Sequence, residues 1–189
     1  MSDQQALISA WEVEPISTLL QQIHYQYLTK RLRSITIASE IRSEGKTTVA
    51  ITVARGLTEV FKFKVLYVDL NPQGDSLISK HLKDYRSKDG VVQDHQFPFS
   101  ILRIKDLEVD WTKNSFDGPF LNQLVTKYAN DFDMIIVDSF NPNNQNDTIL
   151  KVNTDSNLIV RGPKSKTNLL EKEIERDRKK MLGIIFNEN

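Results

Sequence analysis

The sequence predicts a doubly wound α/β fold, a three-layer arrangement in which a mainly parallel sheet has helices on both faces. Short apolar runs rich in β-branched residues, at 35–37, 65–68 and 134–137, have the character of strands that are buried on both faces. Segments with apolar residues at helical spacing lie between these runs. Strands that alternate with helices along a chain indicate a parallel sheet.

The predicted elements follow one another closely, so the whole chain, 1–189, is expected to be a single domain with an N-terminal arm at 1–15. Strands are predicted at 35–37, 65–68, 100–104, 134–137, 157–160 and 182–186. Helices are predicted at 16–32, from Lys46 onward, and at 76–82, 119–130, 148–152 and 165–180. Residues 83–98 are polar and interrupted by Gly90 and Pro98, which predicts a surface insertion.

Composition narrows the classes of function. The chain has 25 basic and 25 acidic residues, so its formal net charge of zero gives no general attraction to nucleic acid. It contains no cysteine, which excludes disulfides and cysteine-based metal sites. No apolar run approaches the roughly 20 residues of a membrane span. The polar N-terminus lacks the basic segment of a secretion signal, so a cytoplasmic protein is expected.

Residues 34–69 contain the pattern that predicts the function: a strand, a loop at 39–45, a helix that begins with Lys46, and a second strand. A loop that leads into a helix N-terminus points unpaired N–H groups at an anion, and the helix dipole favours negative charge. Lys46 would lie near the β- and γ-phosphates of a nucleotide, and the Thr47 hydroxyl would bind Mg²⁺. The expected nucleotide contacts in this segment are Arg42, Ser43, Glu44, Gly45, Lys46, Thr47 and Thr48.

The loop is unusual because it contains no glycine before Gly45. Glu40 occupies the position where the full phosphate-loop pattern has a glycine, and Glu44 adds a second negative charge. Any of these residues that adopts a positive φ angle would be strained. The alternative interpretation is an ordinary strand-to-helix turn with an exposed lysine.

Two predicted strands end on carboxylates, Asp69 and Asp138, and ligands of such sheets lie beyond the carboxyl ends of the strands. Asp138 is expected to hold Mg²⁺, directly or through water, and Asp69 to orient an attacking water or hydroxyl or to help position the metal. The alternative is that each acid caps the turn that follows it. The predicted catalytic residues are Lys46, Asp69 and Asp138, and the predicted metal ligands are Thr47, Asp69 and Asp138.

These motifs resemble the MinD/ParA-type branch of P-loop ATPases, and most closely the bacterial tyrosine kinases of exopolysaccharide and capsule systems. The resemblance lies in SEIRSEGKTT as the Walker A segment, VLYVDLNPQGD as a second acidic segment, DFDMIIVDS as Walker B, and MLGIIFN near the end. It implies ATP or ADP with Mg²⁺ as cofactors. It also implies that Asn187 contacts the adenine.

The sequence departs from these families at several positions. Ile41 stands where the partitioning ATPases have a second lysine, and Asn71 stands where the tyrosine kinases have a second acid. The helix ISTLLQQIHYQYL lacks their E-x-x-R-x-x-R element, and no tyrosine follows Tyr128. An autokinase that phosphorylates its own tail is therefore not expected.

Three functions remain open from the sequence. The first is a magnesium-dependent ATP hydrolase that acts as a regulatory or accessory component of exopolysaccharide or other envelope polysaccharide biosynthesis or export. Its expected partner is a membrane-associated activator or an envelope assembly component that recruits it to the inner membrane, and it could form a homodimer. The second is a degenerate, non-hydrolysing scaffold, and the third is a ParA/MinD-like positioning ATPase.

Overall fold

A computed structural model describes residues 14–82, 90–107, 118–140, 154–165, 169–176 and 180–188. The strands are β1 Ser34–Ala38, β2 Val65–Asp69, β3 Val91–Val92, β4 Ser100–Arg103, β5 Met134–Asp138, β6 Ser156–Arg161 and β7 Met181–Phe186. The helices are α1 Glu14–Lys30, α2 Lys46–Phe61, α3 Leu77–His81, α4 Gly118–Tyr128 and α5 Leu169–Arg176.

The strands form one seven-stranded sheet in the order β3-β4-β2-β5-β1-β6-β7. Every neighbouring pair is parallel except β3 and β4, which are antiparallel at the edge. Because β1 lies between β5 and β6, the chain winds outward in both directions from the centre of the sheet. The predicted doubly wound α/β fold is confirmed.

Each face of the sheet has its own apolar core. On one face, Ile35, Tyr67 and Ile136 pack with residues of α1 and α2 such as Leu20 and Val53. On the other face lie two smaller clusters. The first cluster packs strand residues of β2 and β5 against α4 and contains Leu66, Val68, Ile135, Val137, Leu124 and Val125. The second packs β1 and β6 against α5 and contains Ala38, Ile159, Leu170 and Ile174. Alternate residues of the central strands are thus buried on opposite faces of the sheet, as the continuous apolar runs predict.

The structure corrects the prediction of a surface insertion for its described part, residues 90–98. Val91 and Val92 form β3 against Leu102 and Ile101 of β4, and Val92 is buried, so this part is a sheet edge rather than a surface insertion. A run of two valines is too short to show a strand period in the sequence. Residues 104–106 form a 3₁₀ turn at the end of the predicted strand.

Several predicted segments lie outside the described residues. They are most of the N-terminal arm, residues 83–89 of the expected insertion, and the helix at 148–152. The predicted helix at 165–180 is described as α5 only over 169–176, and β7 begins at Met181. In the parts of the chain that are described, no helix is both long and apolar enough to cross a bilayer.

Candidate functional site

The order of the strands brings the predicted site residues to one edge of the sheet. β2, β5 and β1 are adjacent, the loop at 39–45 follows the carboxyl end of β1, and Asp69 and Asp138 are the last residues of β2 and β5. Asp69 and Asp138 are directly paired in the register between β2 and β5. A cavity of about 360 Å³ lies there, and the predicted site residues that line it are Arg42, Ser43, Gly45, Lys46, Thr47, Thr48, Asp69 and Asp138.

The loop ends with the geometry of an anion site. Gly45 is the N-cap of α2 with a φ angle of 85°, and no side chain caps the helix. The first helical hydrogen bond runs from the Val49 N–H to the Gly45 carbonyl at 2.9 Å. The preceding N–H groups, those of residues 46–48, are therefore without intrahelical acceptors at the positive end of a four-turn helix. Such a terminus binds phosphate.

The two loop glutamates do not line this cavity. Glu44 is buried, and its two carboxylate oxygens accept hydrogen bonds from the N–H groups of Ile41 at 3.0 Å and Gly162 at 3.1 Å. Glu40 accepts the N–H of Leu170, at the start of α5, at 3.0 Å. Both acids therefore act as acceptors that fix the loop backbone. Of the predicted nucleotide contacts, Glu44 is one whose side chain the structure directs away from the cavity.

Asn187 lies behind the loop, outside the residues that line the cavity. Its side-chain amide donates to the Glu44 carbonyl at 3.0 Å, and its own N–H donates to the Arg161 carbonyl at 2.7 Å. A Cβ atom on Gly45 would displace the Asn187 side-chain amide, and the φ angle of 85° independently favours glycine at this position. In this structure Asn187 holds the loop in place, and its contact with adenine stays a prediction.

Arg42 and Thr48 lie at the rim of the cavity, where both are exposed. A guanidinium nitrogen of Arg42 is 3.7 Å from a carboxylate oxygen of Asp75, and about half of each side chain is exposed. An ion pair this open to solvent contributes little to stability, so Arg42 can exchange it for another anion at low cost.

Asp138 is the centre of the polar contacts in the cavity. The Thr47 hydroxyl donates to its Oδ2 at 2.7 Å, and Lys46 Nζ is 3.5 Å from its Oδ1. The Tyr67 hydroxyl also donates to Oδ2, at 2.7 Å. Burial and the charge of Asp138 raise the pKa of the Tyr67 phenol well above its ordinary value, so it remains a donor. The buried Oδ1 has no hydrogen-bond partner in the part of the chain that the structure describes.

Asp69 is held by donors from the segment that follows it. Its Oδ1 accepts the Asn71 N–H at 3.0 Å, and its Oδ2 accepts the hydroxyls of Ser76 and Ser79, the latter at 2.8 Å. Burial raises the pKa of Asp69 above its ordinary value, and the charge of Asp138 acts in the same direction against the serine and backbone hydrogen bonds, which lower it.

Sequence reasoning missed Tyr67, Ser76 and Ser79 as members of the site. Ser76 caps α3 through the Ser79 N–H at 3.0 Å, and that short helix turns both hydroxyls toward Asp69. Tyr67 precedes Asp69 by two residues and therefore lies on the same face of β2. That spacing was the available signal for the tyrosine.

The residues present fit a magnesium–phosphate group. Among the residues that the structure describes, no three His, Asp or Glu side chains form a cluster that could hold a metal alone. Mg²⁺ is commonly bound by one or two protein oxygens and completes its octahedron with phosphates and water. Oδ1 of Asp138, which has no hydrogen-bond partner among the described residues, and the Thr47 hydroxyl are such oxygens, and the open N–H groups of α2 belong to the same cavity lining.

The structure is similar to several solved structures over most of the chain. The chimerical protein CapA2B2 superposes with a TM-score of 0.68 at 19% identity over 97% of this chain and 89% of that one. The BceF tyrosine kinase domain has a TM-score of 0.68 at 16% identity, over 98% and 89%. The septum site-determining protein MinD from Pyrococcus horikoshii OT3, complexed with Mg-ADP, has a TM-score of 0.58 at 22% identity, over 82% and 70%.

No protein-family model matches the sequence, and no curated protein matches it. The structural likenesses show that the chain has the α/β fold of these tyrosine kinase domains and of MinD. The resemblance that the motifs indicate is therefore confirmed at the level of the fold.

Proposed function

We propose that the chain is a magnesium-dependent P-loop ATPase. The observation that carries this proposal is the convergence of Lys46 and Thr47 on Asp138, beside the uncapped N-terminus of α2. The MinD structure that has the same fold is complexed with Mg-ADP, which supports ATP or ADP with Mg²⁺ as the cofactors. The cavity combines positive charge, open N–H donors and a carboxylate oxygen without a hydrogen-bond partner among the described residues, the groups that such a ligand needs.

The residues divide the work of binding. The open N–H groups at the start of α2 and the Lys46 ammonium would bind the phosphates, while Thr47 and Asp138 would hold the metal. When bound, Mg²⁺ neutralises charge on the phosphate oxygens. Asp69, whose raised pKa favours proton uptake relative to an exposed carboxyl, accepts a proton from an attacking water or orients that water. Arg42, at the rim, adds charge to the phosphate side of the cavity.

The non-hydrolysing scaffold is the second candidate. The sequence features that favour it are the glycine-poor loop, Asn71 in place of an acid, the absent tyrosine tail, and the two loop glutamates, which put negative charge where phosphate would bind. Both carboxylates accept hydrogen bonds from backbone N–H groups outside the cavity lining, so they do not oppose the binding of a nucleotide in the cavity. The scaffold would bind partners without any response to nucleotide.

For the biological role we propose a regulatory or accessory component of exopolysaccharide or other envelope polysaccharide biosynthesis or export. The fold shared with bacterial tyrosine kinase domains supports this role over DNA positioning, for which a net charge of zero is unfavourable. In this proposal the protein is cytoplasmic, forms a homodimer, and is recruited to the inner membrane by an activator whose binding depends on the nucleotide state.

Isothermal titration calorimetry with ATP tests the proposal. We expect wild-type protein to bind ATP with Mg²⁺, and Lys46→Ala to lose about 100-fold in affinity because a charge-assisted phosphate contact contributes roughly 3 kcal/mol. Lys127→Ala, on α4, is the matched control and should bind as wild type. Equal affinity of wild type and Lys46→Ala would refute the proposal, and absence of any binding would favour the scaffold.

A further inference from the structure

We propose that Tyr67 is a positioning residue for the metal: its hydroxyl fixes the Asp138 carboxylate so that Oδ1 is the oxygen offered to Mg²⁺. The inference rests on the proposed function and deepens it. Tyr67 lies within the second acidic segment, where the motif assigns it no role, yet its hydroxyl is 2.7 Å from Oδ2 of Asp138, the acid proposed to bind the metal.

The sheet explains how Tyr67 reaches Asp138. Asp69 and Asp138 are paired across β2 and β5, and Tyr67 is two residues before Asp69 on the same face. The tyrosine is fully buried, and its ring packs against Phe99 with 5.8 Å between centroids. This packing fixes the ring, and the hydroxyl then points along the strand to the acid.

The two hydroxyl donors meet the same carboxylate oxygen. Thr47 and Tyr67 both donate to Oδ2, which leaves Oδ1 without a hydrogen-bond partner among the described residues and 3.5 Å from Lys46 Nζ. Rotation of the carboxylate would break both hydrogen bonds at once. The arrangement therefore selects one oxygen for the metal before the metal arrives, which is how outer contacts orient metal ligands.

Packing alone does not explain the hydroxyl. The neighbours of Tyr67 on this face, Val65 and Ile136, are apolar, and phenylalanine would fill the same space. A buried hydroxyl costs free energy unless it is hydrogen-bonded, and Asp138 is the partner that the structure gives it. A structural role would require only that the core be filled, whereas a positioning role requires the oxygen atom.

The test is Tyr67→Phe, with ATP affinity measured by calorimetry in EDTA and over a range of Mg²⁺ concentrations. We expect metal-free affinity to remain within twofold of wild type. The Mg²⁺ concentration for half-maximal ATP binding should rise about tenfold, the usual effect of removing a contact that orients a metal ligand. Tyr67→Leu, which also lacks the hydroxyl, should show the same shift, and circular dichroism verifies that each variant is folded.

The matched control is Tyr27→Phe, which removes a hydrogen bond from the tyrosine hydroxyl to Asp133 at 3.2 Å. Asp133 immediately precedes β5, at the end of the strand away from Asp138. This variant should leave both measurements unchanged. A Tyr67→Phe protein with the Mg²⁺ dependence of wild type would overturn the inference, as would a folded variant whose metal-free affinity fell by the same factor. Wild-type protein that bound no ATP in either buffer would instead overturn the proposed function itself.

Discussion

The amide nitrogen of Gly162 lies 3.1 Å from a carboxylate oxygen of Glu44, so the loop at 39–45 is tied to the turn that follows β6. The second oxygen of Glu44 accepts the Ile41 N–H within the loop itself. A Cβ atom on Gly162 would lie 3.3 Å from Glu44 Cγ, so the glycine leaves room for this close approach. The loop is thus stabilised by a buried acid that immediately precedes Gly45.

We expect Glu44→Ala to destabilise the protein by about 2 kcal/mol or more, because two backbone N–H groups lose their acceptor. Urea unfolding followed by circular dichroism measures the change in the free energy of unfolding. Glu59→Ala is the matched control: its partner Arg55 is in an i,i+4 surface pair, and its loss should cost about 0.5 kcal/mol or less. Equal effects of the two substitutions would contradict the role assigned to Glu44.

Ser43→Gly is expected to stabilise the protein by roughly 0.5–1 kcal/mol. Ser43 has a φ angle of 67°, a conformation that is strained for a residue with a side chain and relaxed for glycine. Thermal unfolding measures the gain, and ATP affinity should be retained. Ser17→Gly in α1, where the backbone is helical, should have the opposite sign. A loss of stability in Ser43→Gly would show that the serine side chain compensates for the strain.

Gly45→Ala is expected to abolish ATP binding and to lower stability by about 2–4 kcal/mol. The new Cβ would collide with the Asn187 side chain. The backbone φ angle of 85° at position 45 also disfavours alanine. Calorimetry and urea unfolding provide the two measurements. Gly183→Ala is the control, since nothing lies within 4 Å of its Cβ position. A Gly45→Ala protein that still bound ATP would show that the loop closes around phosphate in another geometry.

Asp69→Asn is expected to change how stability depends on pH in metal-free buffer. Burial raises the folded-state pKa of Asp69, so its contribution is fully present below the unfolded pKa and is lost as pH rises through the folded value. The asparagine variant lacks this titration. Its free energy of unfolding relative to wild type should therefore increase from about pH 4 to pH 7. A difference that stayed constant over this range would contradict the raised pKa.

The parts of this structure that were predictable from sequence depend on local patterns. Continuous apolar runs gave the central strands, and the acids that follow two of them, Asp69 and Asp138, were placed at one edge because parallel strands end together. Gly45, Lys46 and Thr47 follow a third strand and line the same cavity. Local order along the chain was enough to bring these five residues together.

The remainder depends on contacts between distant parts of the chain. Glu44 meets Gly162 across 118 residues, and Glu40 meets Leu170 across 130, so nothing near the loop reveals where its carboxylates point. The sequence places both acids beside the expected phosphate site and therefore predicts repulsion. The direction of their side chains is determined instead by their contacts with Gly162 and Leu170. The Tyr67 hydroxyl was missed for the same reason, since its partner lies 71 residues away.

Asp69 and Asp138 are paired across two central strands. The position of the two carboxylates therefore depends on the number of residues in β2 and β5 more strictly than the fold does. Because side chains alternate along a strand, one residue inserted near the end of β2 or β5 would turn one acid to the α4 side of the sheet. The apolar runs bury both faces and would tolerate that slip. Such an insertion would give a protein that keeps its architecture while its two carboxylates lie on opposite sides of it.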